Sequence, residues 1–244
     1  MNYGWVRSLP DYRDFKLKIT APVALPEVVD LRPLCPPVYD QGQLGSCSGN
    51  AIAGAIEFGL LKEAKADFVP SRLFIYFNER LMEGTVDQDA GAQIRDGIKT
   101  IRDAGVCDEK IWPYDISKFK HKPPNEAYDA AKCDLITNYQ MIGDGNLSLM
   151  KQTLAAGLPF IFGFTVFDGL ESLSVASTGV LNMPTPNESV LGGHATICVG
   201  YHEADQRFII RNSWGEKWGV KGYFTMPYEY MRTMASDIWV INSI

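Results

Sequence analysis

Gln41-Gly42-Gln43-Leu44-Gly45-Ser46-Cys47-Ser48-Gly49-Asn50-Ala51 is a glycine-rich loop that runs straight into a helical pattern, with a cysteine at the join. Beyond the join, Ile52, Ile56 and Leu60 recur four apart, with Ala51, Ala55 and Phe58 beside them, which is the period of a helix. The small residues Ala51, Ala53, Gly54 and Ala55 predict a helix buried between layers. The first N–H groups of a helix have no partner within it, and its dipole favours negative charge there. A thiol at that end is biased towards thiolate, the nucleophilic form. A free cysteine is more often a packed, inert thiol; the loop context and the helix start favour a nucleophile at Cys47.

Working outward, residues 1–26 show no sustained period. Charges alternate with Tyr3, Trp5, Tyr12 and Phe15, and Pro22 and Pro26 punctuate the end. This predicts an extended arm held by aromatic anchors. A second helix is expected from the N-cap Ser71, carrying Leu73, Phe74, Phe77 and Leu81. A third follows Asp89-Ala90-Gly91, with Ile94, Ile98 and Ile101 on one face and Gly105 as its stop. A short helix is expected at 147–156. Strand-like runs then occupy 160–167, 194–201, 207–211, 223–226 and 238–241. Helices first and strands later indicate an α+β fold: an arm (1–26), a helical lobe (27–135) and a β-rich lobe (136–244), with a cleft between the lobes.

Composition narrows the class. Hydrophobic residues make up 46% and charged residues 21%, the balance of an ordinary soluble globular chain. A net charge of −6 and a pI near 5.1 speak against nucleic-acid or anionic-membrane partners. The five cysteines, Cys35, Cys47, Cys107, Cys133 and Cys198, are widely spaced and lack a Cys-x-x-Cys pair. With only His121, His194 and His202 beside them, neither a disulfide framework nor a zinc site is expected. No cofactor is expected, and a monomer is. Met1–Arg7 has no apolar core of signal-peptide length. The expected location is therefore cytoplasmic, with export by another route left open.

A thiolate needs a base, a group that orients the base, and donors for the oxyanion. His194, in Gly192-Gly193-His194-Ala195, opens an apolar strand after two glycines. Asn212, in Arg211-Asn212-Ser213-Trp214-Gly215, follows the next strand across an expected hairpin. Gln41, in the loop before Cys47, offers a side-chain amide. Alone, His194 would read as a core histidine and Asn212 as a turn residue.

Together these residues resemble the papain-like cysteine peptidases, in a cysteine-poor, bacterial-type form. His194 follows Cys47 at the roughly 130–150-residue spacing of that family. The resemblance extends to Gly105-Val106-Cys107-Asp108-Glu109, Trp112-Pro113-Tyr114 and residues 212–224. It implies a two-lobed fold, helical on one side and β-barrel-like on the other, and hydrolysis of protein or peptide substrates through an acyl-enzyme thioester. Cys47 would be the nucleophile paired with His194 as thiolate and imidazolium. Asn212 would hold the imidazole, Trp214 would cover that bond, and Gln41 with the Cys47 N–H would form the oxyanion hole. Gly91 would pair with substrate backbone. Ala92 and Gln93 would lie near the pocket for the second residue before the scissile bond, with Gly193 also lining the substrate site.

The family pattern places a cysteine at 44 and an aromatic at 48, where this chain has Leu44 and Ser48. Gly193 replaces an acidic residue. The first change removes a disulfide, the second an indole behind the nucleophile. Residues 1–26 are expected either to lie on or near the cleft as a short inhibitory or chaperoning arm or to pack on the β-rich lobe. The rival functions are a non-catalytic peptide-binding relative and an acyltransferase or deamidase using the same thiolate.

Overall fold

The computed structural model describes residues 2–18, 24–65, 68–133, 136 and 138–243. Pro22, part of the linker punctuation, and Leu135, at the expected lobe boundary, lie outside the described residues. Strand β1 (Val28–Asp30) precedes α1 (Cys47–Lys62), α2 (Arg72–Glu83), α3 (Ile94–Ala104) and α4 (Asn125–Ala131). Then come β2 (Asn138–Ile142), α5 (Leu147–Ala155), β3 (Phe160–Phe167), α6 (Leu173–Thr178), β4 (Val190–His202), β5 (Arg207–Arg211), β6 (Tyr223–Pro227), α7 (Tyr228–Met234) and β7 (Ala235–Ser243).

The strands form one antiparallel sheet in the order β2-β7-β3-β4-β5-β6, with β1 beside β4. The class is α+β, but the sheet is open and not barrel-like. Its outer strands are covered instead of joined. Gly179 and Leu181 pair with Thr225 of β6, and Phe15 and Leu17 of the arm pair with Met141 of β2. Covering an edge blunts it against stray pairing. β1 also departs from the expected lobes, since residues 28–30 belong to the sheet and not to the helical segment.

Alternation along β3 and β4 sends side chains to opposite faces. Phe160, Phe162, Phe164 and Val166 share one core with Met150, Leu154, Tyr230 and Met231. Ile161, Ala195, Ile197 and Val199 share the other with Ile52 and Ile56 of α1 and Ile98 and Ile101 of α3. α1 is buried because its small residues let it lie directly on the sheet. A Cβ at Gly54 would stand 2.9 Å from Ile197 Cδ1. That close approach sets Cys47 against β4. α2 begins where its cap predicts, with Ser71 Oγ accepting the Phe74 N–H at 3.2 Å, and stops at the left-handed Gly84. Leu81, assigned to the buried face by period, is exposed in the last turn before that stop. β1 and β2 are not among the expected strands; β1, at three residues, is too short to show an alternation.

Candidate active site

Cys47 is the first residue of α1 and is fully buried. The Ser46 hydroxyl does not cap the helix. It lies 2.5 Å from the Tyr114 hydroxyl and accepts from Asn50 Nδ2 at 3.0 Å. Tyr114 Oη donates in turn to the Gln41 carbonyl at 2.9 Å. The loop and the helix start are thus tied into one hydrogen-bonded unit. The Cys47 thiol faces the backbone N–H of Ala195, the neighbour of His194.

His194 lies in β4 with its ring 5.1 Å from Trp214 and 5.7 Å from Phe164. Its Nε2 is 2.8 Å from Asn212 Oδ1, which also accepts the Ser213 N–H at 2.9 Å. An amide oxygen only accepts, so Nε2 carries the proton and Nδ1 keeps its lone pair. Nδ1 has no hydrogen-bond partner among the described residues. Trp214, itself buried, screens this pair from water. Gln41 is fixed from both ends. Its Oε1 accepts from Ser213 Oγ at 2.7 Å, and its Nε2 donates to the Leu44 carbonyl at 3.0 Å. The four residues expected around the chemistry therefore come from α1, its preceding loop, β4 and the turn after β5. Sequence reasoning missed Ser213 and Tyr114 as supports, although both sit inside motifs it had singled out.

Ser48, where an aromatic was expected, has its own partner. Its hydroxyl donates to Glu79 Oε2 at 2.7 Å, and both residues are fully buried. Burial drives the Glu79 carboxyl well above its usual range, so it favours the protonated form.

The arm lies across this site. The Ala92 N–H donates to the Gly4 carbonyl at 2.7 Å, the Val6 N–H to the Ala92 carbonyl at 3.1 Å, and the Trp5 N–H to the Gly193 carbonyl at 2.9 Å. Trp5 and Ala92 thus form a parallel bridge. Gln41 Nε2 is 3.4 Å from the Asn2 carbonyl, and Tyr3 packs edge-on against His194 at 6.0 Å. The backbone pairing assigned to Gly91 is made to the arm by Ala92. The Gly91 N–H is taken by the Tyr76 hydroxyl at 3.1 Å. Gly91 instead provides clearance, for a Cβ there would lie 2.1 Å from the Gly4 carbonyl oxygen. Gln93 is the N-cap of α3 and donates its N–H to Glu83. Of the four arm aromatics, Tyr3 and Trp5 are anchors, while Tyr12 and Phe15 point into solvent. That stretch is held by other means: a buried ion pair between Asp14 and Arg95 at 2.7 Å and the backbone pairs to Met141.

Under this cover, burial pushes the Cys47 thiol up to about 11 and the His194 imidazole down to about 4. The N–H groups around the thiol and the Asn212 bond oppose these shifts without overcoming them. The expected thiolate–imidazolium pair is therefore not the favoured state here. With water excluded, both groups are more stable neutral. Among the described residues no cluster of three or more His, Cys, Asp or Glu could hold a metal, and no helix is long and apolar enough to cross a membrane. All five cysteines are free.

Known proteins share this architecture. The crystal structure of xylellain, a cysteine protease from Xylella fastidiosa, superposes with a TM-score of 0.90 at 41% identity, over 100% of this chain and 96% of that one. Procathepsin B of Trypanosoma congolense, at 17% identity, shares the fold with a TM-score of 0.77 over 98% of this chain and 87% of its own. By sequence, the chain is 44% identical to an uncharacterized peptidase C1-like protein of Acanthamoeba polyphaga mimivirus, over 100% of this chain and 87% of that protein. It is 28% identical to cathepsin K of Mus musculus over 82% of this chain, but spans only 59% of that protein's length. The match to the family described as "Papain family cysteine protease" covers residues 25–238, and the chain belongs to that family.

Proposed function

We propose that this protein hydrolyses peptide bonds with Cys47 as nucleophile and His194 as its base, and that residues 2–5 hold the site closed until they are displaced. The observation that carries the reading is the lock on the imidazole. Asn212 Oδ1 holds the proton on Nε2, which leaves the Nδ1 lone pair free on the side chain that neighbours the thiol's Ala195 contact.

With the arm displaced and water admitted, Nδ1 takes the thiol proton. The helix dipole and the N–H groups around the sulfur favour the resulting thiolate. The sulfur attacks the substrate carbonyl carbon, and the carbonyl electrons move onto oxygen. Gln41 Nε2 and the Cys47 N–H donate to that oxygen. Collapse breaks the C–N bond, and the imidazolium passes its proton to the leaving amine. Water, deprotonated by His194, then cleaves the thioester and releases the acid. Trp214 keeps the His194–Asn212 bond dry throughout.

The closed arm supports this reading because it is not presented as a substrate. The Gly4 N–H is directed at the thiol. The Asn2 carbonyl stands near the amide that would hold the oxyanion.

An epoxide or vinyl-sulfone probe tests the proposal on the full chain carrying Tyr3→Ala. Labelling at Cys47 that a peptide blocks, with mass spectrometry showing a cut peptide bond, is the expected result. An intact peptide, or equal turnover by a Cys47→Ala variant, would overturn it.

A further inference from the structure

The peptide unit between Leu44 and Gly45 is held at both of its polar ends. Its carbonyl accepts Gln41 Nε2 at 3.0 Å, and its N–H donates to the Asp89 carboxylate, 3.0 Å from each oxygen. One amide plane therefore stands between a carboxylate on the loop joining α2 to α3 and the side-chain amide proposed for the oxyanion hole. The two bonds support each other. An N–H drawn towards a carboxylate polarises its own peptide, and the carbonyl oxygen becomes a better acceptor. That acceptor fixes the Gln41 amide. An amide nitrogen carries two hydrogens. With one bound to Leu44, the other is left for the Asn2 carbonyl in the closed state, 3.4 Å away, and for the oxyanion in the open one.

Asp89 lies at the surface, where an aspartate is ordinarily a solvated group. Its bonds set it apart. Donors from three segments converge on it: the Gly45 N–H, the Tyr76 hydroxyl at 2.6 Å and, from the arm, Asn2 Nδ2 at 3.3 Å. Tyr76 Oη also accepts the Gly91 N–H at 3.1 Å. Tyr76 is fully buried, with the Arg80 guanidinium 4.2 Å from its ring. Arg80 Nη1 donates to the Val86 and Gln88 carbonyls at 2.8 and 3.0 Å. The loop is thus pinned by Arg80 before Asp89 and by Tyr76 after it. There is no slack at the contact, for a Cβ at Gly45 would stand 3.0 Å from Asp89 Oδ1. Leu44 occupies the place of a cysteine in the family pattern, and all five cysteines are free. A carboxylate fastens this loop where a disulfide does not.

We propose that Asp89 is a positioning residue for the oxyanion hole: it orients the peptide between Leu44 and Gly45, and that peptide orients the Gln41 amide. Asp89 touches neither the substrate nor the reacting atoms. This rests on the peptidase reading above and adds a residue to its machinery. Asparagine at 89 keeps an oxygen for the Gly45 N–H. Alanine leaves that N–H to water and the peptide free to turn.

Two measurements on the full chain test this. The first is turnover, with Trp5→Ala present in every variant so that the arm, which also touches Asp89, is loosened throughout. Asp89→Ala should lower kcat by about tenfold and change KM by less than about twofold. Asp89→Asn should stay within about threefold of its parent. In a Gln41→Ala background, Asp89→Ala should cost less than about twofold, because the group it positions is gone. A full loss in that background, a loss confined to KM, an unchanged kcat, or asparagine no better than alanine overturns the proposal. If the Trp5→Ala parent cuts no peptide, the peptidase reading fails by itself, and the second measurement still decides the role of Asp89.

That measurement is nitrogen-15 NMR, which needs no substrate. Asp89→Ala should move the Gly45 N–H resonance upfield and bring the Gln41 side-chain amide pair towards the positions of a free glutamine. Asp89→Asn should move both less. Gln41 side-chain resonances that are the same with and without the Asp89 carboxylate would overturn the coupling between the two residues.

Discussion

Asn212 Oδ1 accepts two hydrogen bonds at once, from His194 Nε2 at 2.8 Å and from the Ser213 N–H at 2.9 Å. The second bond identifies the first. Because the Ser213 N–H must meet an oxygen, the amide cannot be turned the other way, and the imidazole is held as the tautomer with its base on Nδ1. Asn212→Ala should therefore lower kcat by about 10²-fold with a much smaller change in KM. Single-turnover kinetics on an arm-loosened background would show it.

Gln41 is held in place by Ser213 Oγ on one side and the Leu44 carbonyl on the other. Removing an oxyanion donor typically costs about 10²–10³ in kcat, and Gln41→Ala should fall in that range. Ser213→Ala leaves the donor present but unanchored. Its loss should be smaller and of the same kind, seen in kcat before KM in steady-state assays.

In the closed site, burial favours the neutral forms of both the thiol and the imidazole. Alkylation of Cys47 in the parent chain should be slow near neutral pH and rise only at alkaline pH, as the thiol near 11 begins to ionise. Tyr3→Ala and Trp5→Ala should each bring fast labelling to neutral pH. Rate–pH profiles with a small iodoacetamide reagent distinguish the two states.

The depressed His194 also carries a sign for stability. Its pKa is near 4 when folded and covered, against an ordinary value of 6.5. The unfolded or uncovered ring thus takes a proton first. The closed state keeps this contribution in full above about pH 6.5 and loses it as pH falls towards 4. The shift corresponds to an upper bound of about 3 kcal/mol. Thermal melts from pH 7 to 4 should show a steeper decline in the parent than in His194→Ala.

Behind the nucleophile, Ser48 and Glu79 form a sealed pair. Ser48→Ala leaves a buried carboxyl oxygen without its donor and should cost about 1–3 kcal/mol. Glu79→Gln keeps a neutral hydrogen-bonding group of the same length and should cost less. Denaturant midpoints compare the two.

Local chemistry was readable in the sequence where one segment carries the whole signal. The glycine-rich loop, the cysteine at the helix start, the cap at Ser71 and the stop at Gly105 are each decided by residues a few positions apart. The residues proposed for catalysis also lie in short motifs, so Cys47, His194, Asn212 and Gln41 could be named before any fold was seen. What tertiary structure alone decided depends on groups far apart in the chain. Met141 and Phe15 close a sheet edge that sequence reading expected to be barrel-like. The two glycines at 163 and 193 are explained only by the indole of Trp5 between them. The protonation states of Cys47 and His194 follow from burial beneath the arm. Periodicity records which residues share a face; it does not record what lies on that face, and desolvation, which sets the charge at this site, depends on what does.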